Sequence, residues 1–148
     1  MKPDVDRMLE VSAIALMTQL GPSLPTSYAQ STAGSLGALL LAVREEFERA
    51  AARRVEENES VRTLFAQAVD VVEDDALATR LREAGNADPA GLEISTLERE
   101  NAELRGLLIE LHAHVESLDT ESARALDEAI WSELARSTER RKLSMDFF

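Results

Sequence analysis

Ile94-Ser95-Thr96-Leu97-Glu98-Arg99-Glu100-Asn101-Ala102-Glu103-Leu104-Arg105-Gly106-Leu107-Leu108-Ile109-Glu110-Leu111-His112-Ala113-His114-Val115-Glu116-Ser117-Leu118 is the stretch on which the fold turns. Leu97, Leu104, Leu111 and Leu118 fall seven residues apart, and Ile94, Asn101, Leu108 and Val115 fill the complementary position. Two such rows are the d and a positions of a heptad, and they demand a helix paired along its length with another helix. A lone Asn at an a position lowers stability but fixes register or the number of strands. The seam can join two chains or lie inside one bundle, since both use the same packing geometry. The seam between chains is the preferred expectation. It makes Ile94, Leu97, Asn101, Leu104, Leu108, Leu111, Val115 and Leu118 the candidate interface of a homodimer.

A second stretch repeats the first. Glu57-Asn58-Glu59-Ser60-Val61-Arg62-Thr63-Leu64 matches Glu100-Asn101-Ala102-Glu103-Leu104-Arg105-Gly106-Leu107 as Glu-Asn-x-x-aliphatic-Arg-x-Leu. Phe65, Ala68 and Val72 continue the first copy as Leu108, Leu111 and Val115 continue the second. Repetition at this spacing predicts two similar helix pairs whose Asn-bearing helices run parallel, with Asn58 near Asn101. Convergence on a generic coiled-coil string explains the match equally well. Asn58, Val61 and Phe65 join the candidate interface on this reading.

Outward from these copies, breakers divide the chain. A first helix is expected over about 3–20, with Val5, Met8, Leu9, Ser12, Leu16 and Leu20 on its packed side, stopping at Gly21-Pro22. Ser27 to Gln30 has the form of a capping box, and helix is expected from there to about Glu73. Unbroken, that helix would be roughly 70 Å long, which implies a bend or a reach into a partner. Gly34 and Gly37, beside Ala33 and Ala38, form a small-residue face suited to close helix approach. Asp74 or Asp75 caps a short piece ending at Gly85-Asn86. Ser95 to Glu98 is another capping box, and after a break near Asp119-Thr120 the last helix runs to about Lys142. The predicted fold is all-α, a bundle of four to five helices with one or two long coiled-coil-like ones. A single domain is expected over 1–142, followed by an apolar tail over 143–148.

Bulk properties narrow the function. Of 148 residues, 45% are hydrophobic but only 4% aromatic, which suits Leu- and Ala-rich helix packing better than a β-sandwich. The net charge of -12 repels nucleic acid backbones and anionic membrane surfaces. With no cysteine there is neither disulfide nor thiolate chemistry, consistent with a reducing compartment. Asp4, Asp6 and Glu10 spoil the basic start of a secretory signal, and no stretch is long enough to span a membrane, so a cytoplasmic location is expected.

Candidate chemistry is sparse. There is no Gly-x-Ser-x-Gly elbow, and Gly34-Ser35-Leu36-Gly37 is no phosphate loop. His112 and His114 lack the Glu-x-x-His spacing of two-metal bundles. His112 and Glu116 are four apart and share a helix face, but a solvated pair is the favoured reading, so no metal and no cofactor are expected. Glu45, Glu46 and Glu48 with Arg44 and Arg49 read as an exposed salt-bridged face. Arg136, Arg140, Arg141 and Lys142 complement the last helix's dipole, and Phe147 and Phe148 are expected to dock on their own bundle or a neighbour. The sequence therefore predicts a non-enzymatic interaction protein (scaffold, adaptor or accessory subunit) that self-associates. A bundle holding an apolar or acyl ligand near Leu39, Leu40, Leu41 and Phe47 is the alternative, and a carboxylate enzyme ranks last.

Overall fold

The computed structural model describes residues 4–89 and 91–144, so Phe147 and Phe148 of the expected tail contact lie outside the described residues. The fold is an all-α bundle: α1 (Val5–Ala15), α2 (Ser27–Ala68), α3 (Asp75–Gly85), α4 (Ile94–Glu116) and α5 (Glu121–Arg140). Among the described residues no helix is long and apolar enough to cross a membrane. The sequence predicts one domain over 1–142, whereas the contacts gather into two compact units. One comprises the chain up to Ala50 with the segment from Leu143, and the other is Ala51–Lys142.

The first unit is an antiparallel hairpin of α1 and the first half of α2. Asp4 caps α1 by accepting the Arg7 backbone N–H. After Ala15 the helix widens into one π turn, Leu16–Leu20, and ends with the turn Gly21–Ser23. Pro22 has no N–H to give to a preceding carbonyl, and such widened turns relieve a broken ladder. At the start of α2, Thr26 rather than Ser27 accepts the Ala29 N–H, while Gln30 donates to the Leu24 carbonyl. The packed side of α1 also differs from expectation. Val5, Met8, Ser12 and Leu20 are exposed, and it is Ala13 that is fully buried. Gly37 sets this rotation, because a Cβ there would overlap Met17 and lie 3.1 Å from the Ala13 carbonyl oxygen. Gly34, paired with it in the sequence reading, faces open space.

These two glycines make opposite predictions. Gly34→Ala should stabilise the chain by about 0.5–1 kcal/mol, the ordinary gain from removing a mid-helix glycine. Gly37→Ala should cost about 1–3 kcal/mol, because Met17 can rotate away but the Ala13 backbone cannot. Thermal unfolding followed by circular dichroism distinguishes the two, and equal shifts would contradict the close approach of α1 to α2.

In the second unit the two repeat copies meet. Arg54 pairs with Glu98, Asn101 donates to Asn58, and the Glu73 backbone N–H reaches His114. Partners ascend together, so the second half of α2 and α4 run parallel. Each is followed by a returning helix: Arg80 of α3 bonds Glu110, and Asp127 of α5 meets His112. Asp74 caps α3 and Thr120 caps α5. The α4 start has no side-chain cap, and Glu93 rather than Ser95 stands at the boundary. The core they enclose holds Val61, Leu64, Phe65, Leu81, Leu104, Leu108, Leu111 and Ile130.

Most of the candidate interface residues lie in the interior of this single chain. Leu97, Asn101, Leu104, Leu108, Leu111, Val115, Asn58, Val61 and Phe65 are all buried within one chain. In the single chain the heptad packs in the core with residues of α2, α3 and α5. Ile94 is exposed and Leu118 is half-buried, at the two ends of the seam.

Candidate functional site

Three features stand out once the helices are placed: a buried polar network, an unpartnered apolar surface, and a histidine–carboxylate cluster.

The network grows from the repeat. The Asn101 amide donates to Asn58 Oδ1 at 2.8 Å, and Asn58 donates to the Leu97 carbonyl at 3.4 Å. Around this pair the Arg of one copy seeks the Glu of the other. Arg62 bonds Glu100 directly, while Arg105 donates to Ser137, whose hydroxyl in turn donates to Glu57. The recurring Glu-Asn-x-x-aliphatic-Arg string therefore has a spatial logic: each copy supplies a carboxylate, an amide and a guanidinium to the other. Its aliphatic and Leu positions, Val61 with Leu64 and Leu104 with Leu107, fill the core between them.

Two buried carboxylates anchor the network. Glu57 accepts Arg141 Nε and Nη2 on its two carboxylate oxygens, both at 2.8 Å, and Arg54 at 3.2 Å. Burial pushes the Glu57 carboxyl up, but the Arg141 hydrogen bonds, the Ser137 hydroxyl and the nearby guanidinium charges outweigh it and hold it at about 2. Glu133 accepts Ser60, Arg136 and Arg140. The basic cluster at the end of α5 thus does more than complement a helix dipole, because Arg140 and Arg141 are counterions to buried carboxylates. Sequence alone hides this, since Glu133 differs neither by type nor by spacing from the surface glutamates, and Glu57, though it opens the repeat, carries no sign of burial.

The apolar surface belongs to the first unit. Leu36, Leu39, Val43 and Phe47 form a stripe along α2, and Val5, Met8, Val11 and Ile14 stand out on α1; all eight are between 43% and 60% exposed. Leu39 and Phe47 therefore lie on the surface. A groove of about 430 Å³ in the second unit is lined by charged side chains, Arg62, Arg80 and Glu100 among them, and by the apolar Ala84, Leu104 and Leu107. At the flank of the stripe, Arg44 clamps Asp6 through both carboxylate oxygens, at 2.5 and 3.1 Å. Arg49 pairs with Glu45 at 2.5 Å. Glu45 also accepts the Ser144 backbone N–H and hydroxyl, and these bonds lower its pKa and tie the chain beyond α5 to α2.

The third feature joins α4 to α5. His112 Nε2 lies 2.8 Å from Asp127 Oδ1 and 3.7 Å from Glu116 Oε1. Trp131 meets the imidazole edge-on, with ring centroids 5.3 Å apart. The sequence offered His112 and Glu116 but not Asp127, because nothing in the spacing of α5 announces which of its acids faces α4.

Set against protein-family models, curated proteins and solved structures, the chain matches none.

Proposed function

We propose that the chain is a non-enzymatic helical interaction protein, and that a second copy of itself covers the apolar surface of its N-terminal hairpin. The observation that carries this reading is that apolar side chains stand exposed on α1 as well as along α2. Leu9, Ala13, Leu16 and Met17 continue the inward side of α1 while Val5, Met8, Val11 and Ile14 face out. An exposed apolar patch rimmed by polar residues marks an interaction site. Fully burying one such side chain is worth about 1.5–3 kcal/mol, and roughly half of each remains open. The eight together hold on the order of 8 kcal/mol per chain, so two chains have about twice that to set against an association cost of about 4–15 kcal/mol.

Charge favours a second copy as the occupant. The protein carries -12, yet Leu36-Gly37-Ala38-Leu39-Leu40-Leu41-Ala42-Val43 carries no charged residue. Two acidic copies repel except along such a stripe. The spacing 36, 39, 43, 47 also reads nearly the same in both directions. An antiparallel copy therefore sets Leu39 against Val43 and Leu36 beside Phe47, the self-complementarity that a two-fold interface requires.

Sedimentation equilibrium on the full chain tests this. A dimer is expected at about 100 μM, well above a Kd of about 1 μM. Leu39→Glu with Val43→Glu should give a monomer of unchanged helicity, since both side chains are over half exposed in the single chain. A parent that stays monomeric, with or without a foreign partner in pull-downs, overturns the second copy as occupant. A dimer that survives the double substitution overturns the surface.

A further inference from the structure

We propose that His112, Glu116 and Asp127 bind one divalent transition-metal ion between α4 and α5. The three ligand atoms lie within 4.8 Å of one another. An ion with bonds of about 2.0–2.2 Å holds its ligand atoms roughly 3.3–3.5 Å apart. The 2.8 and 3.7 Å separations from His112 Nε2 straddle that spacing, so small side-chain rotations admit an ion. Such rotations are open to the carboxylates: the Glu116 side chain is 61% exposed and that of Asp127 34%.

Helix geometry supplies the rest of the preorganisation. His112 and Glu116 are one turn apart on α4, the spacing at which two side chains chelate from one face. Asp127 closes the set from the facing helix α5. Trp131 packs edge-on at 82° and fixes the plane of the imidazole. With the ring proton on Nδ1, the Nε2 lone pair points at the two carboxylates, and a metal takes the place of the proton that His112 and Asp127 otherwise share. Arg124, which lines a groove with Glu116 and Asp127, is drawn to Asp119. One imidazole and two carboxylates neutralise a divalent ion and suit zinc, cobalt or nickel; calcium and magnesium prefer all-oxygen shells. Three protein ligands leave a coordination position for water.

The site lies wholly in the second unit and does not depend on self-association. Chelator-treated full-length protein is titrated with Co²⁺, read by its visible absorption, and with Zn²⁺, read by calorimetry. The expected result is one ion per chain with a visible band of four- or five-coordinate cobalt. His112→Ala and Asp127→Asn should each weaken binding at least about tenfold, while Glu128→Gln, an exposed neighbour outside the set, leaves it unchanged. Asp127→Asn is isosteric and keeps the test valid should the His112 variant fold poorly. No band and no heat at about 100 μM would overturn the site, since a Kd weaker than that is no more than screening by surface acids. Equal titration of the parent and Asp127→Asn would overturn it as well.

Discussion

Glu57→Ala is expected to destabilise the second unit by about 3–5 kcal/mol, the range for removing one partner of a buried ion pair. Glu57 is 1% exposed and accepts bonds from Arg141, Ser137, Arg54 and Asn101. Its loss leaves Ser137 and the Asn101 amide short of an acceptor and removes the carboxylate that Arg54 and Arg141 share. The same carboxylate makes stability depend on pH. Its pKa falls from 4.5 in the unfolded reference to about 2 in the fold, so the folded state binds the proton less readily. The stabilisation is fully present above pH 4.5 and is lost as pH falls from there toward 2. At about 1.4 kcal/mol per pH unit, the loss is about 3 kcal/mol. Urea midpoints measured across that window should fall steeply for the parent and distinctly less for Glu57→Gln. Parallel slopes for the two proteins would show that Glu57 is not the titrating group.

What was legible in the sequence follows from the range of each signal. Caps and breakers act over four residues, and Asp74, Gly85-Asn86 and the break near Thr120 stand where expected, while the helix runs through Gly21-Pro22 to Ser23. Thr26 and Glu93 displaced Ser27 and Ser95 because neighbouring polar residues compete within a turn, and only the local backbone decides which one caps. The repeat is an intermediate case. Its pattern placed Asn58 beside Asn101 on parallel helices, since two like a-position amides satisfy each other at the same height. Whether the heptad lay within or between chains was beyond the pattern, as both use identical knobs and holes. It took the return of α3 and α5 to bury it within the chain. The candidate metal ligands divide the same way: a one-turn pair on α4 is visible in sequence, and a third ligand from α5 is not.

Phe65→Ala should cost about 3–5 kcal/mol, the usual range for truncating a core aromatic. Phe65 is fully buried beside Val61, Ala68, Leu81 and Leu108, and its Cβ lies against the turn at Gly85. No neighbour can collapse into the space without lifting α3 off α2, so both the transfer term and the cavity term apply in full. The substitution also discriminates the two uses of the heptad. A seam between chains would make the unfolding midpoint rise with protein concentration, because association then contributes to folding. A core within the chain shifts the midpoint by the same amount at any concentration. The measurement is cleanest in the Leu39→Glu, Val43→Glu background, where the proposed hairpin dimer is removed. Denaturation of Phe65→Ala in that background, at two concentrations about tenfold apart, should give coincident curves. Curves that separate would return Phe65, Leu108 and Leu111 to an interface between molecules and make α2 through α5 a shared bundle.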